Sequence, residues 1–220
     1  MDGHTEAAAP LLDVRDLTVQ FVSREATVTA VNGATFSLRA GEVLCLLGES
    51  GSGKSVTLRA LMRLLPKQAQ VAGRVELGGQ DVLALQGKAL RAFRGGEVAM
   101  VFQEPMTALD PVYTIGQHLM EMIRRHKGGT KVEARARAIE LLDLVKIPSA
   151  ARRLDAYPHE LSGGLRQRAM IAIALSCGPR LLLADEPTTA LDATVQIQVL
   201  ILLRRLQQEQ IGRASCRERV

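Results

Sequence analysis

Two kinds of apolar run mark this chain. Between Leu11 and Val22, Leu17, Val19 and Phe21 alternate with polar residues, the period-two pattern of a strand with one buried face. Val28 to Leu38 repeats that pattern more weakly, and Gly73 to Leu77 repeats it again before the turn Gly78-Gly79-Gln80-Asp81. These pieces predict a small antiparallel sheet. Glu42 to Leu47, Glu97 to Phe102 and Arg180 to Ala184 are instead apolar almost without interruption. Short continuous runs suit core strands covered on both faces.

Helical spacing fills much of the rest. Val56 to Leu65 reads as a helix stopped by Pro66. Ile115 to His126 and Val132 to Lys146 read as helices joined across Gly128-Gly129. The second carries an apolar stripe at Val132, Ala136, Ile139, Leu142 and Val145, with Glu133, Arg135 and Arg137 as a solvated face. Another helix starts at Ser162, runs through Met170, Ile173 and Leu175, and stops at Gly178-Pro179. The last spans about Ala193 to Gln208, with Val195, Val199, Leu202 and Leu206 facing inward. The helices between about residues 104 and 178 fall between two core strands and predict an inserted helical subdomain. The expected class is α/β.

Composition narrows the class. At 220 residues, 47% hydrophobic and 23% charged, the chain has material for one ample core. Aromatic residues make up only 3%, with no Trp, which argues against a nucleic-acid surface of stacked bases. The formal charge is +5, but Arg213, Arg217 and Arg219 against Glu218 supply +2 of it within the last ten residues. An acidic partner is therefore not indicated. Cys45, Cys177 and Cys216 show no metal-ligand spacing and suit free thiols of a reducing compartment. Met1 to Pro10 lacks the apolar centre of a secretory signal, and no run approaches the ~18 residues of a membrane span. The protein is expected in the cytosol, or on a membrane through a partner. His4, His118, His126 and His159 read as surface residues.

The run at 42–47 leads into Gly48-Glu49-Ser50-Gly51-Ser52-Gly53-Lys54-Ser55, which fits G-x-x-x-x-G-K-[ST]. Strand, glycine loop and helix aim backbone N–H groups at one point, where the helix N-terminus adds partial positive charge. Glycines let the backbone wrap a phosphate chain closely. Lys54 would reach the β- and γ-phosphates, and the Ser55 hydroxyl would ligate magnesium. The core sheet is therefore expected to be that of a P-loop NTPase. Leu181 to Ala184 ends in Asp185 and Glu186: Asp185 placed to hold magnesium, Glu186 to polarise the attacking water. Taken alone, a solvated acidic turn explains that pair equally well. Gln103, at the end of another core strand, could contact magnesium and that water, or simply cap the strand. Ser162, followed by Gly163 and Gly164, would cap a helix whose exposed N-terminus forms a second phosphate cradle. Thr189-Ala190-Leu191-Asp192 follows the carboxylates as a loop into the last helix.

Taken together, these clusters make residues 11–210 resemble the nucleotide-binding subunits of ABC transporters. Gly48 to Ser55 matches Walker A, Leu181 to Glu186 Walker B, Gln103 the Q-loop, Leu161 to Leu165 the signature, and Ala190 to Asp192 the D-loop. The resemblance implies two subunits in a head-to-tail dimer, identical or related, each ATP held between one Walker A and the partner's Ser162-Gly163-Gly164. It also implies Phe21 as the aromatic that stacks on adenine; the alternative is a core residue of the first strand. Leu165 stands where many members carry glutamine. With Gln103 to Pro111, it resembles the branch serving peptide and nickel importers. That implies membrane permease partners, docked on the helical insert at about Glu104 to Glu160, and indirectly a solute-binding protein. The site would then lie at the cytoplasmic face of the inner membrane. Cofactor expectations are ATP and Mg2+, with no nucleic acid. The rivals are a soluble ABC-type ATPase acting on nucleic acid or the ribosome, and an unrelated P-loop kinase.

Residues 211–220 resemble nothing in that family. Ile211 to Val220 is what a sequencing adapter, ATC GGA AGA GCG TCG TGT AGG GAA AGA GTG, would encode. The expectation is a non-native tail on a cassette truncated near Gln210, lacking the family's switch histidine and poor at hydrolysis.

Overall fold

The computed structural model describes residues 9–188 and 193–210. The described residues divide after Gln86 into two compact units. In the first, β1 (Leu12–Val22), β2 (Thr27–Leu38), β3 (Ala69–Leu77) and β4 (Gln80–Asp81) form an antiparallel sheet in the order β2-β1-β3-β4. The alternating pattern of β1 is real: Leu12, Val14, Leu17 and Val19 are buried. The step of three between Val14 and Leu17 marks a bulge, where pairing to both neighbours shifts and Asp16 takes φ 50°. Gly73 (φ 102°) sits opposite, and a Cβ there would lie 2.5 Å from the Asp16 carbonyl oxygen, so only glycine lets the strands close.

The run at 42–47 departs from expectation. It forms no strand, and Val43, Leu44 and Leu47 are 71%, 43% and 93% exposed. A strand exists only where a neighbour completes its hydrogen-bond ladder, and none of the described residues pairs with this run. Helix α1 (Lys54–Leu61) also stops short of Leu65. The backbone turns to φ 55° at Arg63, which ends the helix, and the Arg63 guanidinium donates to the carbonyls of Val82 and Leu83.

The second unit begins with α2 (Gly87–Gly96), broken at Arg94 and Gly95. Strands β5 (Val98–Val101) and β6 (Leu181–Ala184) pair in parallel, Val98 opposite Leu181 and Val101 opposite Ala184. Between them come α3 (Pro105–Ala108), α4 (Ile115–Lys127), α5 (Lys131–Leu144), α6 (Ala150–Arg153), a 3-10 turn and α7 (Gly163–Leu175); α8 (Ala193–Gln210) follows β6. Capping boxes start α4 and α5: Thr114 with Gln117, and Thr130 with Glu133. Helix α7 is the hub, burying Ala169, Met170, Ile171, Ala172 and Leu175 against Leu119, Leu142, Val199 and Leu206 of the surrounding core.

Two sequence readings need correction here. The buried stripe of α5 runs through Ala134, Ala138, Leu141, Leu142 and Val145, while Val132 and Ala136 are exposed. Small alanines mark the side where α5 packs closely; the larger Val132 sits in the first turn, at the rim. His126 is half-buried, not a surface residue, because it packs on Gly95 (φ 90°), where a Cβ would lie 2.9 Å from Nε2. Burial, then Arg125 and Lys127, hold the His126 pKa below its ordinary value.

Candidate functional site

The phosphate loop in the first unit is built as its glycines require. Gly51 and Gly53 take φ 82° and 89°, and Gly53 occupies the N-cap position of α1 in the left-handed region. A Cβ on Gly53 would collide with the Ala30 carbonyl, and one on Gly48 would lie 2.5 Å from Ser52 Oγ. Lys54 Nζ donates to the carbonyls of Gly48 at 2.6 Å and Glu49 at 2.7 Å, and lies 3.4 Å from Ser52 Oγ. The ammonium is thus centred over the loop. No acidic residue stands in the first turn of α1 to offset its positive end. Ser50 is exposed, and Ser55 is half-buried in that first turn. Phe21 is half-buried near the end of β1, opposite Val28 and Ala69.

In the second unit, parallel pairing does the work. Register sets Val101 beside Ala184, and the Asp185 N–H donates to the Val101 carbonyl at 2.9 Å. The next residues on each strand therefore emerge side by side. Gln103 Nε2 donates to Glu186 Oε2 at 2.9 Å, although 83 residues separate them. Asp185 is buried at 4% exposure, whereas Glu186 is exposed and holds φ 44°. A left-handed glutamate costs about 1–2 kcal/mol and persists where neighbours over-determine it. One carboxylate is sheltered and its neighbour is turned outward.

Ser162 caps α7 as expected, its Oγ accepting from the Leu165 N–H at 3.4 Å, and Ser162 and Gly163 are exposed. Leu165 packs on the core, which is why an apolar residue suits that position. Arg166, to which the sequence reading gave no role, locks the turn before the helix: it donates to the carbonyls of Pro158 at 2.7 Å and His159 at 3.3 Å. Its sequence signal was a long cation in the polar first turns, Arg166 to Arg168, of a helix that is apolar beyond them. Gly164 lies against α8, and a Cβ there would approach Val195 Cγ1 to 2.7 Å. Asp192, with Thr189 to Leu191, lies outside the described residues, as does the tail at 211–220.

The structure thus brings Gln103, Asp185 and Glu186 together in one unit and shapes the phosphate loop in the other. The family model described as ABC transporter matches residues 31–189. This chain belongs to the ABC transporter family. It is 50% identical over 208 residues to the oligopeptide transport ATP-binding protein OppD of Salmonella typhimurium, covering 93% of this chain and 62% of that relative's length. It is 51% identical over 201 residues to the dipeptide transport ATP-binding protein DppD of Escherichia coli, covering 91% of this chain and 62% of the relative. Among solved structures, it is similar to the ATP-binding cassette MJ0796 in a dimeric, post-hydrolysis state bound to ADP and Pi, at 28% identity and a TM-score of 0.79, over 90% of this chain and 83% of that one. These matches identify the core as that of an ABC cassette, the α/β P-loop fold expected. The chain spans about three fifths of the length of the curated relatives it matches.

Proposed function

We propose that this chain is the ATP-binding and ATP-hydrolysing subunit of an ABC importer that takes up peptides or similar small solutes. The observation that carries the reading is the 2.9 Å hydrogen bond from Gln103 to Glu186 beside the buried Asp185, at the C-terminal ends of two parallel strands. Open α/β sheets place their ligands at that end. ATP is held by Gly48, Ser50, Gly51, Ser52, Gly53, Lys54 and Ser55, with Phe21 stacking on adenine. Ser55, Gln103 and Asp185 would hold Mg2+, which would supply positive charge against the phosphate oxygens. Among the described residues there is no cluster of three His, Cys, Asp or Glu side chains that could hold a metal. A sparse oxygen set suits magnesium, which keeps waters and phosphate oxygens in its shell. Glu186 takes the proton of the attacking water, and Gln103 orients both.

Ser162, Gly163 and Gly164 of one subunit complete the site of a second subunit in a head-to-tail dimer, to which Asp192 also contributes. The helical insert at about Glu104 to Glu160 docks membrane permease subunits at the cytoplasmic face of the inner membrane, and a solute-binding protein feeds them. None of the described helices is long and apolar enough to cross a membrane. The names of the oligopeptide and dipeptide relatives support peptides as cargo. We further propose that residues 211–220 are translated adapter, which sequencing the source DNA past the codon for Gln210 checks.

The deciding experiment measures nucleotide binding and MgATP turnover for the chain and its Glu186→Gln variant, assembled with the permease. Binding kept by both, with turnover and peptide uptake lost in the variant, supports the reading. Turnover unchanged by Glu186→Gln removes Glu186 from the reaction. Phosphate transfer to an acceptor other than water overturns the ATPase assignment.

A further inference from the structure

Glu186 is held in a strained conformation, and something must hold it there on both sides. On the upstream side, β6 pairs with β5 and the Asp185 N–H is bonded to Val101. On the downstream side come Pro187, whose ring fixes its φ, and Thr188. The Thr188 carbonyl accepts a hydrogen bond at 3.0 Å from Nε2 of Gln196, in the first turn of α8. The start of α8 is itself pinned to α7 at two places. Val195 fills the space that a side chain on Gly164 would need. One turn further along α7, Arg168 donates to Gln198 Oε1 at 2.6 Å while its other guanidinium nitrogen reaches the carbonyls of Val145 and Lys146 at 3.4 and 3.1 Å. Arg168 thereby joins the end of α5, α7 and α8 in one bonded cluster.

We propose that Gln196 is a positioning residue for Glu186, and that the Gly164–Val195 and Arg168–Gln198 contacts make the first two turns of α8 a clasp between the α7 N-terminus and that carboxylate. The inference rests on the reading of Glu186 as the group that activates water. Its physical content is short-range. Gln196 fixes the carbonyl two residues past Glu186, so losing that bond frees the backbone to relax φ at Glu186 toward the ordinary region. The carboxylate then swings from its place beside Gln103. Misplacement of about 1 Å in a reacting group lowers rates by up to ~100-fold without touching substrate affinity. Because α8 is seated on Gly164, a shift of the α7 N-terminus is passed to the same carbonyl by direct packing.

The test compares Gln196→Ala and Gln196→Glu with Thr194→Ala, an exposed position in the same turn, and with Glu186→Gln, all in the full-length gene product assembled with its permease. Gln196→Glu keeps size and helix propensity but cannot donate to a carbonyl when ionised. The expected result is kcat lowered about tenfold in both Gln196 variants, KM for ATP within about twofold of the parent, and Tm and the Thr194→Ala rate unchanged. Unchanged kcat at Gln196, with Glu186→Gln inactive, overturns the clasp alone. A kcat loss matched by a fall in Tm, or a KM rise matching the kcat loss, also overturns it. If Glu186→Gln keeps full turnover, the underlying reading falls and the clasp with it.

Discussion

Two apolar runs of similar length and composition meet opposite fates in this molecule. Leu181 to Ala184 pairs with Val98 to Val101, and most of these residues are buried. Glu42 to Leu47 pairs with nothing described and leaves Leu47 at 93% exposure. Each run leads straight into a chemical motif, the carboxylates in one case and the phosphate loop in the other. What separates them is backbone partnership. Apolar content makes burial favourable, but a strand needs a second ladder of donors and acceptors, which its own residues cannot supply. The phosphate loop keeps its shape regardless, because its conformation comes from glycine dihedrals and from Lys54 bonded to the loop's own carbonyls.

The comparison can be broken most forcefully at the motifs. Lys54→Ala is expected to lower ATP affinity about 100-fold or more in an equilibrium binding assay, since it removes the loop's only fixed cation and its internal brace together. Glu186→Gln should leave affinity intact and lower turnover by about 100-fold or more. If both variants lose only affinity, the two regions do not divide the labour as their structures suggest.

How much of this was legible beforehand follows from the same contrast. The alternation of β1, the parallel run at 181–184, the N-cap at Ser162 and the inward face of α8 at Val199, Leu202 and Leu206 are local patterns, and each stands in the structure. The exposed state of 42–47 was not legible, because whether a partner strand is present cannot be read from the run itself. The α5 stripe was misplaced by counting Val132 over Ala134, since hydrophobicity ranks valine higher while close packing between helices selects alanine. The Gln103–Glu186 contact could be anticipated in kind but not in geometry, for it depends on register across 83 residues.

Stability measurements sharpen the contrast further. Leu183→Ala, at a buried position of β6, should destabilise by about 2–5 kcal/mol in denaturant titration. Leu47→Ala, in the exposed run, should stay within about 0.5 kcal/mol of the parent. Equal effects at both positions would mean the run at 42–47 is covered in solution. Smaller still is the effect of acid on the α5 capping box. Backbone and side-chain hydrogen bonds from Thr130 lower the Glu133 pKa. This depressed carboxyl contributes stability above its unfolded pKa and loses it as the pH falls through the folded value. A pH titration of Tm should therefore show a shallow acid-side loss that Glu133→Gln removes.

The brace on Lys54 has one more consequence, for selectivity among small molecules. The lysine meets any visitor with its ammonium already satisfied by the carbonyls of Gly48 and Glu49. A neutral nucleoside offers nothing stronger than those carbonyls and cannot draw the side chain away. A polyphosphate can, because its oxygens carry full negative charge and pair ion to ion with the ammonium, whereas the carbonyls offer only a dipole. The loop thus behaves as a latch that opens to anionic charge, and adenosine should be ignored at concentrations where the triphosphate saturates.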